Sequence, residues 1–449
     1  MAATIRKLAV FAYLDDDWAP AGVVTMTEDG AELQASTFAY GLRYLERPNA
    51  IDVDPVALSL KKKAELRGKL LFPGAGLTQF GGIRDASPDS WGRRVIEAKL
   101  KVKANSLPES TYLLHAGSQR IGALDVRGSL ETPPDQPRGG GLHALEYLLE
   151  SAERIDAGLD VPADLEAIFI QGSGLGGARP KATVTDEDGV LWLAKFPTRT
   201  DRMSMTDIEE ATLRLAERCG IRVPPTRIVD VGSRRVMLIR RFDRYWSQPA
   251  FDVTPGDDAL YLPAIAGATE RRVPFASALT LVGCSEMDSI GKSYQDVAEA
   301  IRKHVHIDYV RADNRELFKR MVFNIFVSND DDHLRNHGFI RDPRIGGWRL
   351  SPLYDVLPRP SSAYERNLHL GVGPQGRAAT LDNAFAARDA FSISRADAAL
   401  AIMEVWREVR EWKVCFEERG VPEKEIGNVA SAFRHIDHVT SIELRRELS

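Results

Sequence analysis

Phe326-Val-Ser-Asn-Asp-Asp-Asp-His-Leu-Arg-Asn336 is the stretch on which the reading of the fold turns. It follows Glu316 to Phe326, where Leu317, Met321, Val322, Ile325 and Phe326 recur at helical spacing, so a helix is expected there. Three adjacent Asp residues are poor helix formers and repel one another, which favours a loop. A buried helix that delivers clustered acids to a loop is costly unless a cation is held there.

Asp331 and Asn336 form D-x-x-x-x-N, the spacing of the protein-kinase catalytic loop, where the Asp takes a hydroxyl proton and the Asn holds a metal ion. A third acid, Asp355, ends Leu350-Ser-Pro-Leu-Tyr-Asp355. It follows an expected hairpin: Gly338 to Arg341, a turn over 342–347, then Trp348 to Leu350. Such a set can supply one base and two oxygen ligands for Mg²⁺. A D-x-x-x-x-N alone is more simply a solvated acidic loop, so the rest of the chain has to decide.

At 449 residues the chain exceeds one ordinary core, and two or three domains are expected. Its 44% hydrophobic and 27% charged residues are those of a soluble globular protein. A net charge of −5 gives no general attraction to nucleic acid or to an anionic membrane. Cys219, Cys284 and Cys415 are far apart and in no metal spacing, and read as reduced, buried thiols of a cytoplasmic protein. No apolar run approaches membrane-spanning length, and the N-terminal residues lack the apolar region of a signal peptide.

Leu8 to Tyr13 and Gly22 to Met26 read as strands of a small mixed domain. Lys61, Lys62 and Lys63 read as a solvated helix face. In Gly81-Gly-Ile-Arg-Asp-Ala-Ser-Pro-Asp-Ser-Trp-Gly-Arg-Arg94, Asp89 or Ser90 should cap a helix that buries Val95, Ile96 and Leu100. Ser129 to Gly141, with three prolines and three consecutive glycines, reads as a linker. Leu142 to Ala157 should be a helix. From Pro274 onward the pattern is mainly helical, clearest in Ser293 to Val305 and Ala396 to Phe416. The organisation expected is 1–128, an N-terminal subdomain; 142–245, a nucleotide-binding portion; and 246–449, a helical lobe.

Gly172, Gly174 and Gly177 spell G-x-G-x-x-G after the strand-like run Ile168-Phe-Ile170. A dinucleotide fold needs a helix to begin at those glycines. Here Pro180 intervenes, and Lys181 to Thr185 alternates like a strand that returns as Val190 to Lys195. A Walker A loop also fails, because Ala182 stands where Ser or Thr is needed. What remains is either a plain flexible loop or a glycine-rich loop between strands that covers ATP phosphates with backbone N–H groups. Lys195 shares a strand face with Leu191 and Leu193 and calls for an anionic partner. Glu209 can pair with it, or can serve a capping box with Thr206. Ile221 to Arg241 reads as two more strands, and Trp246 to Thr269 as a loop. His333 and His337 lie four apart without an H-E-x-x-H pattern, and the converging donors are oxygens, which disfavours zinc. His333 is expected to brace the Asp331 loop by hydrogen bonds.

Gly-Gly-Ala-Arg-Pro-Lys181, Leu-Ala-Lys195-Phe-Pro, Arg-Arg-Phe-Asp-Arg244, Asn-Asp-Asp-Asp-His-Leu-Arg-Asn-His337 and Pro-Leu-Tyr-Asp355, in that order, resemble the HipA-like kinases, toxins of type II toxin–antitoxin modules. The 81–94 segment and Ser277-Ala-Leu-Thr-Leu-Val-Gly283 are similar to that family too. The resemblance implies an α+β, two-lobed protein-kinase-like fold with an extra N-terminal α/β subdomain and a mostly helical C-terminal lobe. It implies Mg-ATP-dependent phosphorylation of Ser or Thr on a protein, with aminoacyl-tRNA synthetases among the family's targets. It also implies a HipB-like DNA-binding antitoxin, with DNA reached only through that partner. By position, Asp331 matches the catalytic aspartate, Asn336 and Asp355 the Mg²⁺ ligands, and Lys195 the ATP lysine. Gly176, Gly177, Ala178 and Lys181 match the nucleotide loop, and Arg240 to Phe242 the adenine-side linker. Where the family often has a self-phosphorylated serine this chain has Gly174, so any autophosphorylation of the loop is expected at Ser173. Other readings of the same residues are a kinase-fold enzyme acting on a small molecule, and a catalytically silent co-repressor that binds the antitoxin.

Overall fold

Alternating apolar and polar residues build the first sheet, from strands longer than the sequence suggested. β1 (Thr4–Leu14), β2 (Asp17–Asp29), β3 (Glu32–Tyr40) and β4 (Leu124–Arg127) are ordered β3-β2-β1-β4. The pairs β1–β2, β2–β3 and β1–β4 are antiparallel. Leu8, Val10, Ala12, Val24, Met26 and Phe38 fill one core behind this sheet. The computed structural model describes residues 3–74, 76–135, 140–247 and 269–448; part of the 129–141 linker and most of the 246–269 loop lie outside them.

Contacts divide the chain into two compact units. The first is Met1–Thr200, Val229–Ala276 and Ile340–Ile345; the second is Asp201–Ile228, Ser277–Phe339 and Gly346–Ser449. The units interleave along the sequence, and the three-part division by residue number stays a proposal.

Within the first unit, α1 (Ser90–Leu100) begins at Asp89, whose carboxylate accepts from Ser90 N at 2.9 Å, as the capping pattern requires. Val95 and Ile96 are buried, and Leu100 is half-buried. Next come α2 (Leu145–Asp156) and α3 (Ile168–Gln171). The strand expected at Ile168 is therefore a helical turn, because that turn buries Ile168 and Gln171 together. The glycine-rich loop consequently runs from a helix to a strand, not between two strands. β5 (Lys181–Thr185) and β6 (Leu191–Lys195) form an antiparallel hairpin in the sheet β5-β6-β8-β7, with β7 (Thr226–Val231) and β8 (Arg234–Arg240). A second core joins Leu148, Ile168, Ala182, Ala194 and Leu238, and it also takes in Trp91 and Val95 from α1.

The second unit is mainly helical. α4 (Met205–Arg218) is preceded by Ser204, whose hydroxyl bonds Asp207 at 2.6 Å. The helix thus starts ahead of Thr206, so Thr206 is not its N-cap; Glu209 lies inside the helix and is buried. α5 (Tyr294–His304) opens with a Ser293–Asp296 capping box. α6 (Val310–Val327) is the helix expected before the acids. It is buried nearly all round, with Asn314, Arg320 and Asn324 inside as well as Leu317, Met321 and Ile325, as befits the central helix of a bundle. Ser328, at φ +52°, ends it in the left-handed conformation and turns the chain out into the acidic loop. The hairpin follows as expected, Gly338–Asp342 then Gly347–Leu350, with Ile340–Ile345 counted in the first unit. α7 (Arg395–Val409) and α8 (Trp412–Glu418) divide the helix read as continuous from 396 to 416. Among the described residues no helix is long and apolar enough to cross a membrane.

Candidate active site

The structure sorts three chemically identical acids by burial. Asp330 and Asp331 are 53% and 59% exposed at the side chain, whereas Asp332 is fully buried. One oxygen of Asp332 accepts from Tyr294 OH (2.5 Å) and Asn324 Nδ2 (2.8 Å) and meets His337 Nε2 at 2.9 Å. Burial pushes the Asp332 pKa up, but His337 and these hydrogen bonds outweigh it and hold the carboxyl below its ordinary range. The same burial, with Asp332 beside it, raises the Tyr294 phenol. Asp332 and His337 immediately follow Asp331 and Asn336, so this buried hub fixes both ends of the loop that carries them.

Above the hub the loop closes on itself. Asn336 Nδ2 donates to Asp331 O at 3.0 Å, and His333 N donates to the same oxygen at 2.9 Å. The bracing expected of His333 is thus made by its backbone, while the imidazole that braces from below belongs to His337. The His333 ring instead meets His369 edge-on, with centroids 5.8 Å apart. Tyr354 OH reaches Arg335 O at 2.7 Å, which joins the residue before Asp355 to the residue before Asn336. Asp355 itself is at φ +58°, a conformation uncommon outside glycine. Arg359 Nη2 lies 2.8 Å from Asp331 and its Nε 3.3 Å from Asp330. The second unit therefore carries Asp331 and Asn336 on one closed loop, and Tyr354 ties the residue before Asp355 to that loop. Two carboxylates and an amide suit a hard cation that keeps several waters and phosphate oxygens. Among the described residues no cluster of three or more His, Cys, Asp or Glu could hold a metal alone.

In the first unit, Lys181 and Lys195 are direct register partners across β5 and β6, and both are buried. Like charges facing each other across strands repel, so two buried ammonium groups there each need an anionic or hydrogen-bonding partner. Lys181 folds back over the loop: a Cβ on Gly177, at φ +81°, would stand 2.3 Å from its Nζ. Among the described residues the N–H groups of Gly176 and Ala178 have no protein acceptor, while Gly177 N donates to Asp89 at 3.2 Å. Ser173 is buried and its hydroxyl donates to Ala116 O at 3.3 Å, so a γ-phosphate can reach it only if the loop opens.

Arg240 and Phe242 are buried, and between them Arg241 bonds Gln119 O (2.8 Å) and Arg120 O (3.1 Å). Asp243 lies between Arg241 and Arg244, at 2.7 Å and 2.6 Å. Burial raises its pKa, but the two guanidinium groups reverse that and hold it well below the carboxylate range.

The roles of Asp332, His337, Tyr294 and Asn324 are not apparent in the sequence. The only signal was an acid and a histidine, each one residue after Asp331 and Asn336 and so at the same five-residue spacing.

Residues 173–413 match the HipA-like C-terminal domain. A curated Haemophilus influenzae protein that carries a provisional kinase name is 26% identical over 199 residues, 42% of this chain and 53% of that one. The chain thus spans about half the length of that relative. Among solved structures, Shewanella oneidensis HipA, determined with HipB and operator DNA, superposes with a TM-score of 0.62 at 15% identity, over 95% of this chain and 94% of that one. The Helicobacter pylori proinflammatory kinase CtkA overlaps 59% of this chain and 92% of its own at 14% identity, with a TM-score of 0.39. The α+β, two-lobed kinase-like class is that of the HipA fold, and by the match over more than half its length the chain belongs to the HipA-like family.

Proposed function

We propose that this protein is a protein serine/threonine kinase of the toxin type, using ATP and Mg²⁺ and neutralised by a HipB-like antitoxin. The observation that carries the reading is the closed Asp331–Asn336 loop, with an outward Asp331 carboxylate above the buried Asp332 hub. Phosphoryl transfer asks the protein mainly for positioning and charge neutralisation. Asp331 orients the acceptor hydroxyl and takes its proton. Lys195 and Lys181 neutralise phosphate oxygens, and the Gly176 and Ala178 N–H groups donate to them. Glu209, buried within its helix, is the proposed partner that steadies Lys195. Arg240 to Phe242 form the adenine-side linker. Asn336 and Asp355 would hold Mg²⁺, which when bound spreads the charge of the phosphates. The partner reading is supported by the fold shared with a HipA solved together with HipB and operator DNA. A protein hydroxyl is the proposed acceptor, an aminoacyl-tRNA synthetase being the family-based candidate.

The test is transfer of labelled γ-phosphate from Mg-ATP to proteins of a cell extract and to a panel of metabolites. Asp331→Asn should lower transfer by about 10²–10⁴-fold while the protein stays folded. Label on metabolites alone, or equal transfer by the variant, would overturn the reading.

A further inference from the structure

No step of the proposed chemistry uses Asp89-Ser-Trp-Gly92, yet this turn is joined to the glycine-rich loop along its length. Asp89 divides its carboxylate between its own helix and the loop: one oxygen accepts from Ser90 N at 2.9 Å, the other from Gly177 N at 3.2 Å. Trp91 N donates to Gly177 O at 2.9 Å, and its indole N–H to Lys181 O at 2.8 Å. Gly92 lies against the middle of the loop, where a Cβ would stand 2.6 Å from Ser173 O and 2.7 Å from Leu175 O. On its other side the loop is held by the Ser173–Ala116 bond, and a Cβ on Gly174 would stand 2.6 Å from Ala116 O.

A free glycine-rich segment has many conformations, whereas donors that receive phosphate act best when already in place. A carboxylate near a phosphate site is electrostatically adverse, so its engagement of Gly177 N needs a compensating gain. That gain is order: the Gly177 peptide is held at both its N–H and its C=O, and the Gly176 and Ala178 donors on either side are left for a ligand. Trp91 anchors the turn by packing, fully buried, in the core that also holds β5, β6 and β8.

We infer that Asp89, Trp91 and Gly92 form a latch that holds the glycine-rich loop in its phosphate-receiving conformation and keeps Ser173 buried. They are positioning residues. The nucleotide half of the inference rests on the loop's being the phosphate loop, as proposed above; the Ser173 half rests on geometry alone.

The experiment places a reporter at the buried position. Ser173→Cys in the full chain is alkylated under native conditions and mapped by mass spectrometry, with Ala152→Cys, in the core of the same unit, as the buried reference. Asp89→Ala should speed labelling at 173 by about tenfold or more, the size expected for a lost charge-assisted hydrogen bond. Gly92→Ala should do so by a similar factor, through the clash of its new Cβ with Ser173 O and Leu175 O. Labelling at 152 should be unchanged. Asp89→Asn, which keeps one of the two acceptor oxygens and loses the charge, should fall between the parent and Asp89→Ala. In the kinase assay Asp89→Ala should raise the KM for ATP more than it lowers kcat. Unchanged labelling at 173 in both variants, or equal acceleration at 152, overturns the latch. Selective opening at 173 in a protein that neither binds nor consumes ATP upholds the latch and overturns the nucleotide reading instead.

Discussion

Asp332 and His337 meet at 2.9 Å beneath the loop that spans them, each the neighbour of a residue assigned to the chemistry above. The loop is therefore tied across its base by two side chains that solvent does not reach. Asp332→Ala should leave His337, Tyr294 and Asn324 with unmet hydrogen bonds and cost about 1–3 kcal/mol, the usual penalty for buried polar groups left unsatisfied. Asp332→Asn retains one acceptor oxygen and should cost less. Denaturant unfolding of the two variants measures the difference, and equal midpoints would show that the hub is not what holds the loop.

The Asp331–Arg359 pair is half exposed on both sides, so its contribution to stability is small, about 0–1 kcal/mol. It nonetheless occupies the carboxylate proposed to meet the acceptor hydroxyl. Arg359→Ala should therefore leave Tm nearly unchanged and raise phosphate transfer at low salt by up to about fivefold, with a weaker dependence on salt. Transfer rates across a salt series check this. A loss of activity would instead assign Arg359 to substrate or phosphate binding.

Gly174→Ser restores the hydroxyl that the family often carries, but the loop as folded has no room for it. The new Cβ would stand 2.6 Å from Ala116 O and 3.2 Å from Arg120 N, both backbone atoms. The expected cost is about 1–3 kcal/mol of stability from overpacking, and no gain in loop phosphorylation while the latch is closed. Thermal unfolding and phosphopeptide mapping test both parts; an unchanged Tm would mean that the 116–120 backbone yields.

Asp243 has its folded-state pKa depressed by Arg241 and Arg244, so its stabilisation is complete above the unfolded value of 3.8 and is lost as pH falls below it. The first unit should weaken by about 1.4 kcal/mol per pH unit over that acid range from this group alone. Asp243→Asn leaves two buried guanidinium groups without their carboxylate and should cost about 3–5 kcal/mol at pH 7. The gap between wild type and variant should narrow as pH drops below about 4. A constant gap from pH 7 to pH 3 would show that Asp243 is not the group that titrates.

Asp355→Ala should weaken nucleotide binding in the presence of Mg²⁺ and leave binding without the metal nearly unchanged, because Mg²⁺ uses few protein oxygens. Paired titrations measure it, and an unaltered metal dependence would remove Asp355 from the ligand set.

Local chemistry decided much of this protein. Helical spacing from Leu317 to Phe326, three Asp residues that cannot continue a helix, the cap at Asp89 and the β5–β6 alternation are all properties of neighbouring residues, and the structure has each of them. The order of the motifs was enough to name the family. Other features needed the tertiary structure because they join residues far apart in the chain. Ile168 follows its core neighbours into a helical turn, against its strand-like composition. Three consecutive acids share one side-chain chemistry, and only the packing of Tyr294, Asn324 and His337 makes Asp332 the buried one and leaves Asp331 to solvent. Trp91 and Gly177 are 86 positions apart, and their hydrogen bond exists only because α1 packs into the core that the hairpin helps to form. Burial is a property of the folded whole, and it separates residues that the sequence leaves equivalent.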